Sequence, residues 1–160
     1  MRRLWAPWRL PYIENADRSD DCFLCTYPAA GRDTERFILA RNDQAFAILN
    51  AFPYSNGHVL IAPYNHIADL DELTPEETLA IWDLATRCIG ALRKALNPHG
   101  HNLGINLGRA AGAGLEGHIH LHIVPRWNGD TNFMATVAET RVIPASLEAM
   151  YDRLKEHLRE

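Results

Sequence analysis

The chain has 160 residues and no run of about 18 apolar residues, so nothing in it reads as a membrane-spanning helix. Its three cysteines are too few, and odd in number, for a disulfide framework. They point instead to a reducing, cytoplasmic setting. Basic excess is absent: 16 Lys and Arg stand against 20 Asp and Glu, for a net charge of -4. That balance argues against a general nucleic-acid surface, though it leaves room for a local cationic pocket around a small anion. The opening stretch, Met1 to Arg9, begins with positive charge, but Pro7 and Arg9 interrupt the apolar run that a secretory signal needs. No internal repeat, low-complexity tract or long linker is visible. What remains is an ordinary globular balance, 47% hydrophobic and 22% charged. The length suits a single domain over residues 1–160 with its own core.

Residues 1–35 read as irregular, punctuated by Pro7, Pro11, Pro28 and Gly31. Three strands are expected at Arg36 to Arg41, Ala45 to Asn50 and His58 to Pro63, with Arg41 to Gln44 turning between the first two. A long helix starts at Thr74, a good N-cap; Pro75 suits the first helical position and Glu77 completes a capping box. Leu79, Trp82, Ala85, Ile89, Leu92 and Leu96 recur at helical spacing, and Asn97 to Gly100 stop the helix. Two further strands, Asn102 to Gly108 and His118 to Arg126, precede a helix from Pro144 to Leu158. Strands grouped in this way, with short connections, predict an α+β fold with a mainly antiparallel sheet, a long helix and a C-terminal helix.

The most informative segment is Gly117-His118-Ile119-His120-Leu121-His122-Ile123-Val124. Strand side chains alternate faces, so His118, His120 and His122 share one side while Ile119, Leu121 and Ile123 turn to the core. Neighbouring imidazoles in such a row stand roughly 6–7 Å apart and can hold one anion among several nitrogens. The row could also be exposed, or bind metal. Before it, Gly108 to Gly114 is a loop of small residues whose backbone N–H groups can approach phosphates closely, although a plain hairpin connection would look similar. Cys22-Phe23-Leu24-Cys25 is a knuckle suited to tetrahedral zinc, with a redox pair or two buried thiols as alternatives. Cys88 lies in the apolar region of the long helix and reads as core; His99, His101 and His157 read as surface or loop residues.

The segment His118 to Val124 resembles the signature of the histidine-triad (HIT) superfamily, and Asn50 to Pro63 resembles that family's upstream strand–loop–strand. The resemblance runs from about Cys22 to Trp127. It implies the HIT fold, with five strands. It also implies a reaction in which His120 attacks the α-phosphorus of a nucleotide and forms a covalent nucleotidyl-histidine. His122 would donate to a phosphate oxygen, and His58 would approach the same phosphate from the neighbouring strand. Asn50 would bind ribose or buttress the site; Asn106 and the loop residues Gly112, Ala113 and Gly114 would contact the substrate. Many family members carry a Gln-Ser or Gly-Ser pair in this loop, but no Ser or Thr lies between Gly108 and His118 here, and Ala113 and Gly114 are the counterparts. A polyphosphate leaving group needs such a hydroxyl less than an amine does.

The zinc-containing branch of the superfamily, which includes galactose-1-phosphate uridylyltransferases, implies that His66 of Pro63-Tyr64-Asn65-His66, together with His118, completes a closed structural site with Cys22 and Cys25. Trp5 to Arg9, with Val124 to Met134, resembles a bacterial branch related to diadenosine tetraphosphate phosphorylases. Trp127 would stack on a base or line the polyphosphate channel; interface packing is the alternative for Trp5, Trp8 and Trp127. The implied substrate is a dinucleoside polyphosphate, with phosphate or water as acceptor. A nucleoside phosphoramidase and a non-catalytic nucleotide-binding module are the rivals. Magnesium is expected only as a counter-ion of the polyphosphate. A homodimer, or a tetramer, is the implied assembly, without nucleic acid or membrane.

Overall fold

The computed structural model describes residues 22–130 and 143–158. Trp5, Trp8 and the segment Phe133–Met134 lie outside the described residues. Five strands form one sheet: β1 (Ile38–Arg41), β2 (Ala45–Leu49), β3 (Val59–Pro63), β4 (Gly100–Ile105) and β5 (Leu121–Arg126). Their order is β1-β2-β3-β5-β4, and every neighbouring pair is antiparallel. Two helices cover one face, α2 (Pro75–Leu96) and α3 (Leu147–Leu158); a short helix, α1 (Phe23–Ala29), packs on the other.

The alternation of strand side chains builds two cores. Leu39, Ala47, Leu49, Val59, Ile61, Leu121 and Ile123 meet α2 and α3. Ile38, Phe46, Ile48, Leu60 and Ala62 turn the other way and meet Leu24 of α1. His122 sits opposite Leu60 in the β3–β5 register, so it shares this second face. The histidines therefore stand on the α1 side of the sheet.

Segment 23–29 was expected to be irregular and is instead helical. Propensity does not explain it, because Pro28 lies inside a helix of seven residues. Tertiary packing does: Leu24 is fully buried on the sheet, and the Cys22 carbonyl accepts from Cys25 and Thr26 N–H. Strand β1 begins at Ile38 and not at Arg36, because Phe37 adopts a positive φ of 57°. Strand β4 runs over 100–105, beginning two residues and ending three residues earlier than expected. Strand β5 begins at Leu121 and not at His118. The reason is Pro63, which ends β3 and has no N–H for the ladder. The Ile119 N–H goes instead to the carbonyl of Ile67, at 2.7 Å.

The start of α2 forms as its sequence directs. Thr74 Oγ1 accepts from Glu77 N–H, and the Glu77 carboxylate accepts from Thr74 N–H. Its buried face, however, is Ile81, Leu84, Ala85, Cys88, Ala91, Leu92 and Ala95. Leu79 and Trp82 are 72% and 52% exposed. At about 100° per residue these two lie well around the helix from Ile81, so the expected stripe mixed two faces. Among the described residues no helix is long and apolar enough to cross a membrane.

Candidate active site and metal centre

His58, His118, His120 and His122 are the four buried histidines of the described chain, each at most 9% exposed. Strand β5 and the segment just before it carry the last three; the β2–β3 loop delivers His58. That delivery depends on Gly57, which has a φ of 76°. A Cβ there would lie 2.7 Å from Leu96 Cδ1 and 2.8 Å from Leu92 Cδ2. The loop thus passes close over α2 just before His58.

The hydrogen bonds fix where each imidazole proton sits. Asn50 Oδ1 accepts from Phe52 N–H at 2.9 Å, which turns the Asn50 NH2 toward His58 Nδ1 at 3.2 Å. Tyr54 N–H donates to the same Nδ1 at 3.1 Å. An Nδ1 that accepts from two donors carries no proton, so the His58 proton is on Nε2. It points at His122 Nδ1, 3.0 Å away. His122 then carries its proton on Nε2, a buried atom with no partner in the described structure. The chain of donors ends in an N–H aimed at nothing but the site, which is what an anionic oxygen requires.

His120 is held differently. Its Nδ1–H donates to the His118 carbonyl at 2.7 Å, leaving Nε2 with a free lone pair. The rings of His120 and His122 are 4.9 Å apart between centroids, closer than the spacing expected of a flat strand. Burial keeps all three imidazoles uncharged. It pushes His122 down to about 4, with His120 as a second cause, and holds His120 below the ordinary histidine value. His118 is lowered by burial as well. A neutral imidazole with a free Nε2 is a nucleophile; one with a free Nε2–H is a donor. His120 and His122 are one of each.

Tyr54 is a contact that sequence reasoning did not single out. Its ring is parallel to His122 within 8°, with centroids 5.9 Å apart, and leans on His58 at 4.5 Å. No spacing rule marks it, since the contact arises only when the loop folds back over β5.

The loop from Asn106 to Gly117 leads into the histidine segment. Gly108 and Gly112 take positive φ values of 74° and 89° around a single tight turn, and Arg109 pairs with Glu116 at 2.6 Å to close its base. Asn106 and Ala113 are half-buried, Gly112 and Gly114 exposed. Trp127 is half-buried but lies five residues beyond His122, about 16 Å of extended chain, and is not among the ring contacts of the cluster. Asn50 uses its amide on Phe52 and His58, which suits a buttress.

The expected metal ligands come together. One ligand atom from each of Cys22, Cys25, His66 and His118 lies within 4.8 Å of the others. Cys22 Sγ and Cys25 Sγ are 3.2 Å and 3.5 Å from His118 Nδ1, and His66 Nδ1 is 3.4 Å from Cys25 Sγ. His118 Nε2 faces the Pro63 carbonyl at 3.0 Å, so its proton sits there and Nδ1 is free to bind a cation. Two sulfurs and two imidazole nitrogens form a donor set that suits tetrahedral zinc. Burial pushes the Cys22 thiol up to about 11 when no cation is near, and a divalent ion would reverse that preference. Gly117 leaves room for His66, whose Nε2 would be 3.3 Å from a Cβ at that position. Among the described residues no second cluster of this kind exists, and nothing supports a protein-bound magnesium. Cys88 is buried in the α2 core, as its place in the sequence suggests.

His118 joins the two centres: its ring faces the cysteines and its carbonyl holds His120. Comparison with known proteins places the chain among relatives. The chain is 35% identical over 154 residues to an AP-4-A phosphorylase of Mycobacterium tuberculosis, covering 92% of this chain and 79% of that protein. It is 34% identical to a bis(5'-adenosyl)-triphosphatase of Dictyostelium discoideum over 56% of this chain and 59% of that protein. A Zn-bound histidine triad family protein from Mycobacterium smegmatis superposes with a TM-score of 0.71 at 30% identity, covering 87% of this chain and 94% of that one. Residues 32–129 match the HIT domain, and the chain belongs to the HIT family.

Proposed function

We propose that the protein cleaves dinucleoside polyphosphates through a covalent nucleotidyl-histidine on His120. The observation that carries this reading is the opposite proton placement on two adjacent imidazoles. His120 gives its Nδ1–H to the His118 carbonyl and keeps Nε2 as a lone pair; His122 keeps an orphaned Nε2–H. In the first step His120 Nε2 bonds to the α-phosphorus as the bridging P–O bond breaks, and the remaining nucleoside polyphosphate departs. His122 Nε2–H donates to a non-bridging oxygen, where charge grows. In the second step phosphate or water attacks the same phosphorus and returns the electron pair to His120.

The relatives support a dinucleotide substrate, and so does the loop. With no hydroxyl between Gly108 and His118, this loop offers no side-chain hydroxyl to a basic leaving group. A polyphosphate needs such a hydroxyl less than the amine of a phosphoramidate does. Small residues at Gly112, Ala113 and Gly114 would let backbone N–H groups serve the phosphates, with half-buried Asn106 at the loop's start, and Trp127 would line the far end of a longer substrate.

Cys22, Cys25, His66 and His118 would hold zinc, which with four protein ligands supplies structure and no open coordination position. It would pin α1 to the histidine segment. The exposed Leu79 and Trp82 on α2 support a homodimer that covers them, a point light scattering decides.

Incubation with diadenosine tetraphosphate, with and without phosphate, tests the reading. Phosphate-dependent formation of ADP and ATP identifies a phosphorylase; AMP and ATP identify an asymmetric hydrolase. No turnover of this or related dinucleotides removes the proposal.

A further inference from the structure

Strand β5 lies between β3 and β4, so His122 has a register partner on each side. On the β3 side the partner is Leu60, buried in the core beneath α1, and the buried His58 ring is bonded to His122 there as well. On the β4 side the partner is Gly104, which shares the histidine face and carries no side chain. Gly104 is exposed, and a Cβ at that position would meet nothing within 4 Å. The fold does not ask for glycine there. Its φ is not positive. No neighbour crowds it, in contrast to Gly57 against α2 and Gly117 against His66. A glycine inside a strand weakens that strand. What it provides at 104 is bare backbone beside a buried imidazole, where a ligand can approach closely.

We infer that Gly104 is the floor of a lane along which the polyphosphate of the substrate extends away from His120 and His122. The inference rests on the dinucleotide reading above and adds to it the residue that admits the phosphate chain. An α-phosphate held by these two imidazoles is walled on the β3 side by Leu60 and His58, and meets bare backbone on the β4 side. Two residues away along β4, about 7 Å, Asn102 takes the same face, opposite Val124. Its Oδ1 accepts from Arg126 Nη1 at 2.7 Å, and Arg126 also pairs with Asp130. An amide and a guanidinium suit the anionic oxygens of the β- and γ-phosphates better than they suit a base. The lane thus runs from a bare floor to polar side chains, and the size of residue 104 sets whether a phosphate chain can cross it.

The test measures dissociation constants for AMP and ATP by calorimetry in wild-type protein, Gly104→Ala and Gly104→Val. AMP carries the α-phosphate alone; ATP adds the chain that would cross residue 104. Gly104→Val weakens ATP binding on the order of tenfold and leaves AMP binding as it was, with Gly104→Ala between it and the wild type. Thermal unfolding is expected to show both variants at least as stable as the wild type, since the added atoms meet no neighbour and a glycine leaves the strand; if Gly104→Val fails to fold, the comparison of Gly104→Ala with the wild type decides. ATP binding that does not change overturns the inference. So does AMP binding that falls by the same factor, which makes residue 104 part of the nucleoside's surroundings. In either case, turnover of diadenosine tetraphosphate by the wild-type protein keeps the dinucleotide reading standing. Wild-type protein that binds neither nucleotide overturns the inference, and if it also turns over no dinucleotide it overturns both.

Discussion

His58 Nε2 lies 3.0 Å from His122 Nδ1, and this one bond decides which nitrogen of His122 carries its proton. Because Asn50 and Tyr54 both donate to His58 Nδ1, the proton between the two rings belongs to His58. Replacing His58 by Ala frees His122 to place its proton on either nitrogen and leaves its Nδ1 buried without a partner. The expected result is a fall in kcat on the order of 10- to 100-fold, with a smaller change in KM, short of what loss of a direct donor causes. Steady-state kinetics on a dinucleoside polyphosphate checks it.

Zinc is expected to matter first for stability. Cys22→Ser removes one of four ligands and should lower the zinc content of protein purified without added metal, together with its Tm. Chelation of the wild-type protein should lower Tm in the same direction, and the variant should respond less to the chelator. Elemental analysis and thermal unfolding are the measurements. Wild-type protein without near-stoichiometric zinc would contradict the closed site.

Much of this was legible in the sequence, and the exceptions have physical causes. The capping box at Thr74 and Glu77 is local chemistry, so it could be read off directly and forms as expected. The histidine segment was legible as a cluster because its period matches a strand. Its detail was not, because Pro63 on the partner strand delays the start of β5 to Leu121. Helix α1 was missed because buried Leu24, and not local propensity, makes it. The stripe on α2 was misplaced because Leu79 and Trp82 are as apolar as the residues that are buried, and only the fold distinguishes them. The hydrogen-bond chain joins residues 50, 54, 58 and 122, contacts that no linear spacing encodes.

Gly57 offers a test of how His58 is delivered. Its φ of 76° strains any side chain, and a Cβ would press on Leu92 and Leu96. Gly57→Ala should destabilise the fold by about 1–3 kcal/mol and reduce activity further than that loss explains, because His58 shifts with the loop. Denaturant unfolding and kcat measured on the same preparation separate the two effects.

The pH dependence of stability follows from His122, held down to about 4 by burial and by its neighbour His120. In the unfolded chain a histidine titrates near its ordinary value of about 6.5. Between those values the unfolded state takes up a proton that the folded state refuses. Stability from this residue is therefore complete above about 6.5, falls as pH drops, and levels off below about 4. Tm measured across this range should decline toward acid, and His122→Asn should show a shallower decline. An equal slope in both proteins would contradict the buried neutral imidazole.

The central claim is that His120 Nε2 bonds to phosphorus. Mixing the protein with a dinucleoside polyphosphate, quenching within milliseconds under alkaline denaturing conditions that spare a phosphoramidate, and mapping the adduct by mass spectrometry tests it most directly. A nucleotide attached to the peptide carrying His120, and absent in His120→Ala, is the result predicted. Full turnover by the wild-type protein with no adduct at any quench time, or turnover that survives in His120→Ala, would contradict the account.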